Sequence, residues 1–107
     1  MNIQNFMANY WNQVQKNDEL AFLKLFHYNA KVYLGKEEKI MKPDEYMSSI
    51  YDFEHGWDIR VEHIEEIAPF QYVTKTLWQK DDKNHLVSTI FTFKDEKIMR
   101  LEETFEY

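Results

Sequence analysis

The C-terminal stretch from His85 to Tyr107 constrains the fold more strongly than any other part of the sequence. Two runs rich in β-branched and aromatic residues flank a short polar segment, Lys94-Asp95-Glu96, and this arrangement is typical of a β-hairpin. An isolated hairpin is at best marginally stable in water. The rest of the chain is therefore expected to cover the apolar face of this hairpin.

The length of the hairpin loop decides which side chains lie on that face. A three-residue loop separates apolar from polar residues better, and we prefer it for that reason. The apolar face then consists of His85, Val87, Thr89, Phe91, Phe93, Met99, Leu101, Glu103 and Phe105. The opposite face consists of Leu86, Ser88, Ile90, Thr92, Ile98, Arg100, Glu102, Thr104 and Glu106. A two-residue loop would turn the second strand over, because a slip of one residue inverts every side chain, and Glu102 would then replace Glu103.

Length and composition indicate a single domain, residues 1–107, in which 44% of the residues are hydrophobic and 17% aromatic. The formal net charge of −6 argues against nucleic acid and anionic membrane surfaces as partners, because both select basic patches. The sequence contains no cysteine, no apolar run that could span a bilayer and no secretory signal at its start. We therefore expect a cytoplasmic protein with no membrane or nucleic-acid partner.

The periodicity of apolar residues changes along the chain from helical to strand-like at Trp57. Helices are predicted over residues 2–16, 18–27 and 43–54. Strands are predicted over residues 30–34, 57–67, 70–79 and the two arms of the hairpin, with a stub at 40–41 and a bulge near His63-Ile64. Helices followed by a strand meander predict an α+β fold, in which three N-terminal helices pack on a curved antiparallel sheet.

This order of elements, with the AKVYL strand and the hairpin motif FTFKDEKI, resembles the nuclear transport factor 2-like superfamily. That superfamily includes ketosteroid isomerase, scytalone dehydratase and the SnoaL-like polyketide cyclases. The resemblance covers the whole chain, but its motifs are loose hydrophobic patterns. It implies a cystatin-like cone with a pocket at its open end.

The resemblance to ketosteroid isomerase can be followed residue by residue. The spacing of Tyr10, Asp18 and Phe26 matches the first helices of the isomerase, and Tyr10 then corresponds to its oxyanion-hole tyrosine. The same comparison places the general base at Leu34 and the second oxyanion-hole acid at Thr89. Because leucine cannot transfer a proton, the steroid isomerase reaction is not expected of this chain.

Candidate site residues follow from the apolar stripe of the first helix and the apolar face of the sheet. We predict that Tyr10 and Glu103 are catalytic, although a tyrosine on a buried helix stripe is more often a core residue, and Trp78 is either a core residue or a wall of the pocket. A carboxyl group at position 103 would have a raised pKa, as an acid or base requires. The predicted ligand-binding residues are Trp11, Leu34, Tyr51, Trp78, Thr89 and Phe91. No phosphate-binding loop, nucleophile motif or metal-ligand spacing occurs, so we expect no cofactor or metal.

Two functions of different classes are compatible with these residues. The first is binding of a small, mostly apolar molecule, with or without acid/base chemistry such as isomerisation, dehydration or cyclisation. The second is a non-catalytic interaction module. In both cases we expect a homodimer formed through the convex face of the sheet, where Ile90 and its neighbours mix apolar and polar side chains.

Overall fold

A computed structural model of the chain describes residues 1–16, 18–35, 39–53 and 57–106, with side chains left out at 50–53 and 106. These described residues form three helices and six strands. In chain order they are α1 (Ile3–Lys16), α2 (Glu19–Leu23), β1 (Phe26–Leu34), β2 (Lys39–Met41), α3 (Pro43–Phe53), β3 (Asp58–Ala68), β4 (Gln71–Lys80), β5 (Lys83–Lys94) and β6 (Lys97–Glu106). The predicted α+β class is confirmed.

The strands form one sheet in the order β2-β1-β6-β5-β4-β3. Neighbouring strands are antiparallel except for β1 and β6, which run parallel. This parallel pair joins the first half of the chain to its end. The hairpin of β5 and β6 thus lies in the middle of the sheet, as its apolar face requires.

Helix α1 covers the inner face of the sheet, as its apolar stripe predicted. Met7, Tyr10, Trp11 and Val14 are buried along this helix. The helix α3 also begins as predicted, with Pro43 in its first turn beside acidic residues that favour the positive end of the helix dipole. Among the described residues, none of the helices combines the length and the apolar character needed to cross a membrane.

Helix α2 is shorter than predicted, because it ends at Leu23 rather than at His27. The residues that follow belong to the sheet instead. Phe26 pairs with Ile98 of β6, and the Ile98 amide donates a hydrogen bond to the Leu25 carbonyl at 2.9 Å. This long-range pairing outweighs the helical pattern of the local sequence, and it extends β1 well before the predicted strand at 30–34.

The loop of the β5–β6 hairpin has two residues, so the predicted three-residue loop is wrong. Lys94 pairs with Lys97, and the loop residues Asp95 and Glu96 both have positive φ, at 54° and 63°. These angles are those of a type I′ turn, whose twist matches that of the flanking strands.

A bulge in β6 nevertheless restores the predicted faces of the strand beyond the loop, although Glu103 lies opposite Thr89 rather than opposite Val87, where a loop of residues 94–96 would place it. Phe93 pairs with Ile98 and Thr92 pairs with Arg100, so Met99 is an extra residue in β6. The predicted inner positions of Leu101, Glu103 and Phe105 are therefore correct. Only the start of the strand differs, since Ile98 is fully buried and Met99 is only partly buried.

Bulges also occur in β3, where the register with β4 shifts between Val61 and His63 and again between Glu66 and Ala68. The first of these lies beside the predicted bulge at His63-Ile64. Bulges bend a strand and increase its twist, which lets the sheet curve around the helices. The result is the predicted cone, with a curved sheet of six strands and the core between the sheet and the helices.

Candidate functional site

A row of side chains crosses the inner face of the sheet and contains its buried acidic residue. Thr74 of β4 pairs with Thr89 of β5, Thr89 pairs with Glu103 of β6, and Glu103 pairs with Leu34 of β1. Because cross-strand partners share a face, these four residues lie side by side. Both threonines are fully buried and Glu103 is 1% exposed. The curved sheet therefore holds three buried polar side chains in one row, inside a largely apolar core.

Two hydroxyl groups hold the carboxyl group of Glu103. The Tyr46 hydroxyl, from α3, donates a hydrogen bond to Oε1 at 2.5 Å. The Thr89 hydroxyl donates to Oε2 at 3.1 Å. Both carboxyl oxygens thus accept a hydrogen bond, which is the arrangement that suits an ionised carboxylate.

Burial has the largest effect on the protonation of this group. It raises the pKa of Glu103 from its ordinary value of 4.5 to about 7, although the hydrogen bonds from Tyr46 and Thr89 act in the opposite direction. Burial, and then the Glu103 charge, also raises the pKa of Tyr46 and of Tyr10 well above the usual range for tyrosine. Near neutral pH, Glu103 can therefore take up or release a proton while both phenols remain donors.

Tyr10 lies close to this group, and aromatic side chains surround its ring. Its ring centroid is 5.0 Å from that of Phe91 and 4.9 Å from that of Trp11, both edge-on. Tyr46 and Glu103 are near enough to alter the pKa of Tyr10. The Tyr46 hydroxyl is near enough to lower the pKa of Tyr10 as a hydrogen-bonding neighbour, although no hydrogen bond of regular geometry joins the two hydroxyl groups.

In the described part of the chain, Nε1 of Trp11 and Oγ1 of Thr74 are also buried without a hydrogen bond of regular geometry. Buried polar groups without a partner are rare in proteins, because each costs the free energy of its lost hydration. Three of them on the inner face, close to a buried carboxyl group, make this region the candidate functional site.

Trp78 forms the wall on one side of the site. Its ring centroid is 6.1 Å from that of Trp11 and 5.5 Å from that of Phe105. Its indole N–H donates to Oγ1 of Thr76 at 3.0 Å, so its polar atom is satisfied. Trp78 is therefore a well-packed core residue, in addition to any contact that it makes with a ligand.

The structure brings most of the predicted site residues together on the inner side of the sheet. The buried ones, with exposures of 0–2%, are Tyr10, Trp11, Trp78, Thr89, Phe91 and Glu103. Leu34 is half-buried and lies next to Glu103 in the sheet. The side chain of Tyr51 lies outside the described part of the structure. Such low exposures mean that these six side chains pack against one another and against the rest of the core.

The sequence analysis did not identify two residues of the site, Thr74 and Tyr46, and Tyr46 is the one that contacts Glu103. It lies on the apolar stripe of α3, is 1% exposed, and makes the shorter of the two hydrogen bonds to Glu103. A tyrosine on the buried stripe of a helix needs a partner for its hydroxyl, and this was the available signal. The partner is 57 residues away in sequence, and periodicity does not reveal such a contact.

The fold and the inner polar row define a cone-shaped α+β protein of the cystatin-like type. Comparison with solved structures identifies it further as the nuclear transport factor 2-like fold. A nuclear transport factor 2-like protein of unknown function from Burkholderia xenovorans LB400 superposes with a TM-score of 0.84. The match covers 97% of this chain and 82% of that one at 11% identity.

Two other similar structures are described as candidate enzymes. A candidate ketosteroid isomerase from Kribbella flavida DSM 17836 has a TM-score of 0.82 at 11% identity, covering 94% of this chain and 75% of that one. A candidate SnoaL-like polyketide cyclase from Shewanella putrefaciens CN-32 has a TM-score of 0.77 at 10% identity, with coverages of 97% and 89%. No family model and no curated protein matches the chain. Identities this low show the fold alone, and one fold hosts many functions.

Proposed function

We propose that this protein binds a small, mostly apolar molecule on the inner side of the sheet, beside Glu103, and that Glu103 can exchange a proton with it. The observation that carries the proposal is the buried carboxyl group of Glu103, held by Tyr46 and Thr89. An apolar wall with a few convergent polar groups is the usual composition of a small-ligand site.

A carboxyl group at this position is costly for the fold. Its neighbours along the inner face of β6 are Leu101, which is buried, and Phe105, which packs on Trp78. A leucine between them would fit the core without the penalty of burying a charge. Residues that break the rules of core packing are concentrated at functional sites, and this favours a role for Glu103 in binding or proton transfer.

The position of Glu103 indicates what chemistry the site could perform. By the resemblance to ketosteroid isomerase, Leu34 and Thr89 stand where that enzyme has its base and its second acid. Glu103 lies between these two positions in the same row. An acid or base is thus present, but displaced by one strand. We propose isomerase-, dehydratase- or cyclase-like proton transfer on a substrate other than the steroid.

Binding requires the aromatic side chains to move. Tyr10, Trp78 and Phe91 are 0–1% exposed, so a ligand beside Glu103 must displace at least one of them. Binding should then be slower than diffusion allows, because only an opened conformation can accept the ligand.

Fluorescence titration tests the proposal directly. Small apolar carbonyl compounds, alcohols and amines would be titrated against the protein while tryptophan emission is recorded. We expect at least one class to quench emission through Trp78. Tyr10→Phe should weaken binding of a ligand that hydrogen-bonds this hydroxyl by about 1 kcal/mol, the usual contribution of one neutral hydrogen bond. Glu103→Gln should alter the pH dependence of binding, whereas Glu102→Gln should not. A quench that survives both Trp78→Phe and Trp11→Phe would contradict the proposal, because both tryptophans of the site would then be absent.

The packed interior and the outer face of the sheet favour a second function, that of a non-catalytic interaction module. Ile90 is half-buried there and Leu86 is 37% exposed, next to partly exposed polar residues. A face of this kind suits a twofold contact, and we propose that the protein forms a homodimer through it. Light scattering at tens of micromolar should give the mass of a dimer, and Ile90→Lys should give that of a monomer. A monomeric mass for the unaltered protein would rule the contact out.

A further inference from the structure

The electrostatic balance of the site points to the chemical class of its ligand. The groups that face Glu103 are Tyr10 from α1, Tyr46 from α3, Thr89 from β5 and Leu34 from β1. All of them are neutral. Within the described residues, no lysine, arginine or histidine contributes to the pKa shift of Glu103 or forms an ion pair with it. An ionised Glu103 is thus a buried negative charge without a counter-ion.

The hydrogen bonds around Glu103 favour this ionised form. Tyr46 and Thr89 are both placed to donate, one to each carboxyl oxygen. A protonated carboxyl group would donate from one of its oxygens, so one of the two hydroxyl groups would have to turn and accept instead. The site therefore supplies an anion with two hydrogen bonds, but no positive charge to balance it.

Once one of the aromatic rings near Glu103 moves aside, its neighbours can present a face to a cation. The rings of Tyr10, Trp11 and Phe91 pack edge-on at centroid distances of 4.9 to 6.3 Å. Aromatic faces attract cations through their negative π surface, and aromatic cages recognise organic ammonium groups in this way. The hydroxyl of Tyr10, which makes no hydrogen bond of regular geometry in the structure, can accept a second N–H from an ammonium group whose first N–H binds Glu103.

We infer that the ligand of this site is an apolar organic amine, bound in its ammonium form with Glu103 as its counter-ion and the aromatic rings around its carbon skeleton. This inference rests on the proposed function, because it names the class of molecule that the site would bind. The competing ligand is a neutral carbonyl compound, which would use the Trp11 indole N–H and the Tyr10 hydroxyl as donors.

Three probes of matched size distinguish these ligands, namely benzylamine, benzyl alcohol and benzaldehyde. Binding of each to the full chain would be measured by calorimetry at about pH 8 and pH 6. We expect benzylamine to bind at least about tenfold more tightly than benzyl alcohol at the higher pH, because only the amine forms a charge-assisted bond. Its affinity should fall about tenfold between pH 8 and pH 6 as Glu103 takes up its proton.

The direction of proton exchange gives an independent readout that needs no variant. At about pH 7, calorimetry in two buffers of different ionisation enthalpy should show that benzylamine binding releases protons, since an ammonium group favours ionised Glu103. Binding of a carbonyl compound to protonated Glu103 would take up protons instead. Because this measurement uses the unaltered protein, it remains informative even if Glu103→Gln fails to fold.

Glu103→Gln and Glu102→Gln form the matched pair of variants. Each removes one carboxylate, but only the first removes it from the inner face, so only Glu103→Gln should abolish the preference for benzylamine. If benzaldehyde binds more tightly than benzylamine and its binding takes up protons, the inference of an amine ligand is wrong, but the proposed function stands. A preference for benzylamine that survives Glu103→Gln would also overturn the amine inference, because the preference would then reflect attraction of the amine to the acidic protein surface. Failure of all three probes to bind would overturn both proposals.

Discussion

Glu102 and Glu103 are neighbours in β6 and have the same side chain, but they lie on opposite faces of the sheet. The Glu102 side chain is 39% exposed and accepts a hydrogen bond from Nε of Arg100 at 2.5 Å. The guanidinium of Arg100 in turn lies 4.0 Å from the centre of the Tyr33 ring. Glu103 is 1% exposed and has two neutral hydroxyl groups as partners.

The difference shows that register, rather than residue type, gives a carboxyl group its chemistry. On the outer face, water and Arg100 stabilise the charge of Glu102. On the inner face, burial makes the charge of Glu103 expensive and places its proton exchange near neutral pH. The alternation of a strand and the bulge at Met99 decide which glutamate has which environment.

Reversing the charge at each position should give the largest contrast. Glu103→Lys puts a cation into the core without an anionic partner, and we expect it to lower the free energy of unfolding by about 3–5 kcal/mol. Glu102→Lys should cost at most about 1 kcal/mol, because surface ion pairs contribute little. Urea denaturation of both variants measures the two values. Equal costs would mean that the two side chains do not differ in burial.

The pH dependence of stability should separate the two residues next. The pKa of Glu103 in the folded protein, about 7, lies above its ordinary value of 4.5, so the folded state binds this proton more tightly. The stabilisation from Glu103 is therefore complete below pH 4.5 and is lost as the pH rises to about 7. The loss should reach about 3 kcal/mol, since each pH unit in this window costs about 1.4 kcal/mol.

Denaturation curves across this pH range, compared with those of Glu103→Gln, isolate the contribution. The difference between the two proteins should change throughout the window and become constant above it. Glu102→Gln, which leaves Glu103 in place, should retain the loss. A difference curve for Glu103→Gln that is flat from pH 4.5 to 7 would contradict the account.

The two buried tyrosines offer a contrast of intermediate size. Tyr46→Phe removes a donor from the ionised carboxylate and should lower stability at pH 8 by about 2 kcal/mol, the range for hydrogen bonds to charged groups. Tyr10→Phe should lower stability by less than Tyr46→Phe does, because the Tyr10 hydroxyl makes neither of the two hydrogen bonds to the Glu103 carboxyl group. Chemical denaturation of both variants checks this. If Tyr10→Phe lowered stability more than Tyr46→Phe, then Tyr10 rather than Tyr46 would be the main hydrogen-bond donor to Glu103.

The smallest expected effect concerns the turn that sets the register. Glu96 has a φ of 63°, which a residue with a side chain adopts only at some cost. Glu96→Gly should raise the midpoint of thermal unfolding, with a gain of about 0.5–1 kcal/mol, and should leave the faces of Glu102 and Glu103 unchanged. Lys94→Gly, at a strand position without positive φ, should lower it. A loss for both variants would argue against the type I′ turn.

Much of the fold could be predicted because its pattern is local. The apolar stripe of α1 and the proline and acidic residues at the start of α3 mark these helices in the sequence. The second helix was predicted too long, because Phe26 pairs with Ile98 from the other end of the chain. The hairpin loop was predicted one residue too long, yet Leu101 and Glu103 were placed on the correct face. The bulge at Met99 supplies the residue that the loop lacks.

The candidate site was only partly predictable, for a related reason. Glu103 could be found because it interrupts an apolar face, and strand alternation makes such interruptions visible in the sequence. Tyr46 could not be connected with it, because the contact joins α3 to β6 across 57 residues. Thr89 was chosen because it lies on the apolar face of the hairpin and by the resemblance, but its hydrogen bond to Glu103 follows only from the observed register of β5 and β6.

The central claim is that Glu103 is a buried carboxyl group whose proton exchanges near neutral pH. Carbon-13 NMR of the side-chain carboxyl groups, with Glu103 assigned by comparison with Glu103→Gln, measures its pKa directly. The account predicts that the Glu103 resonance titrates with a pKa of about 7. A pKa near the ordinary value of 4.5 would contradict it, because Glu103 would then have the environment of a carboxyl group in water.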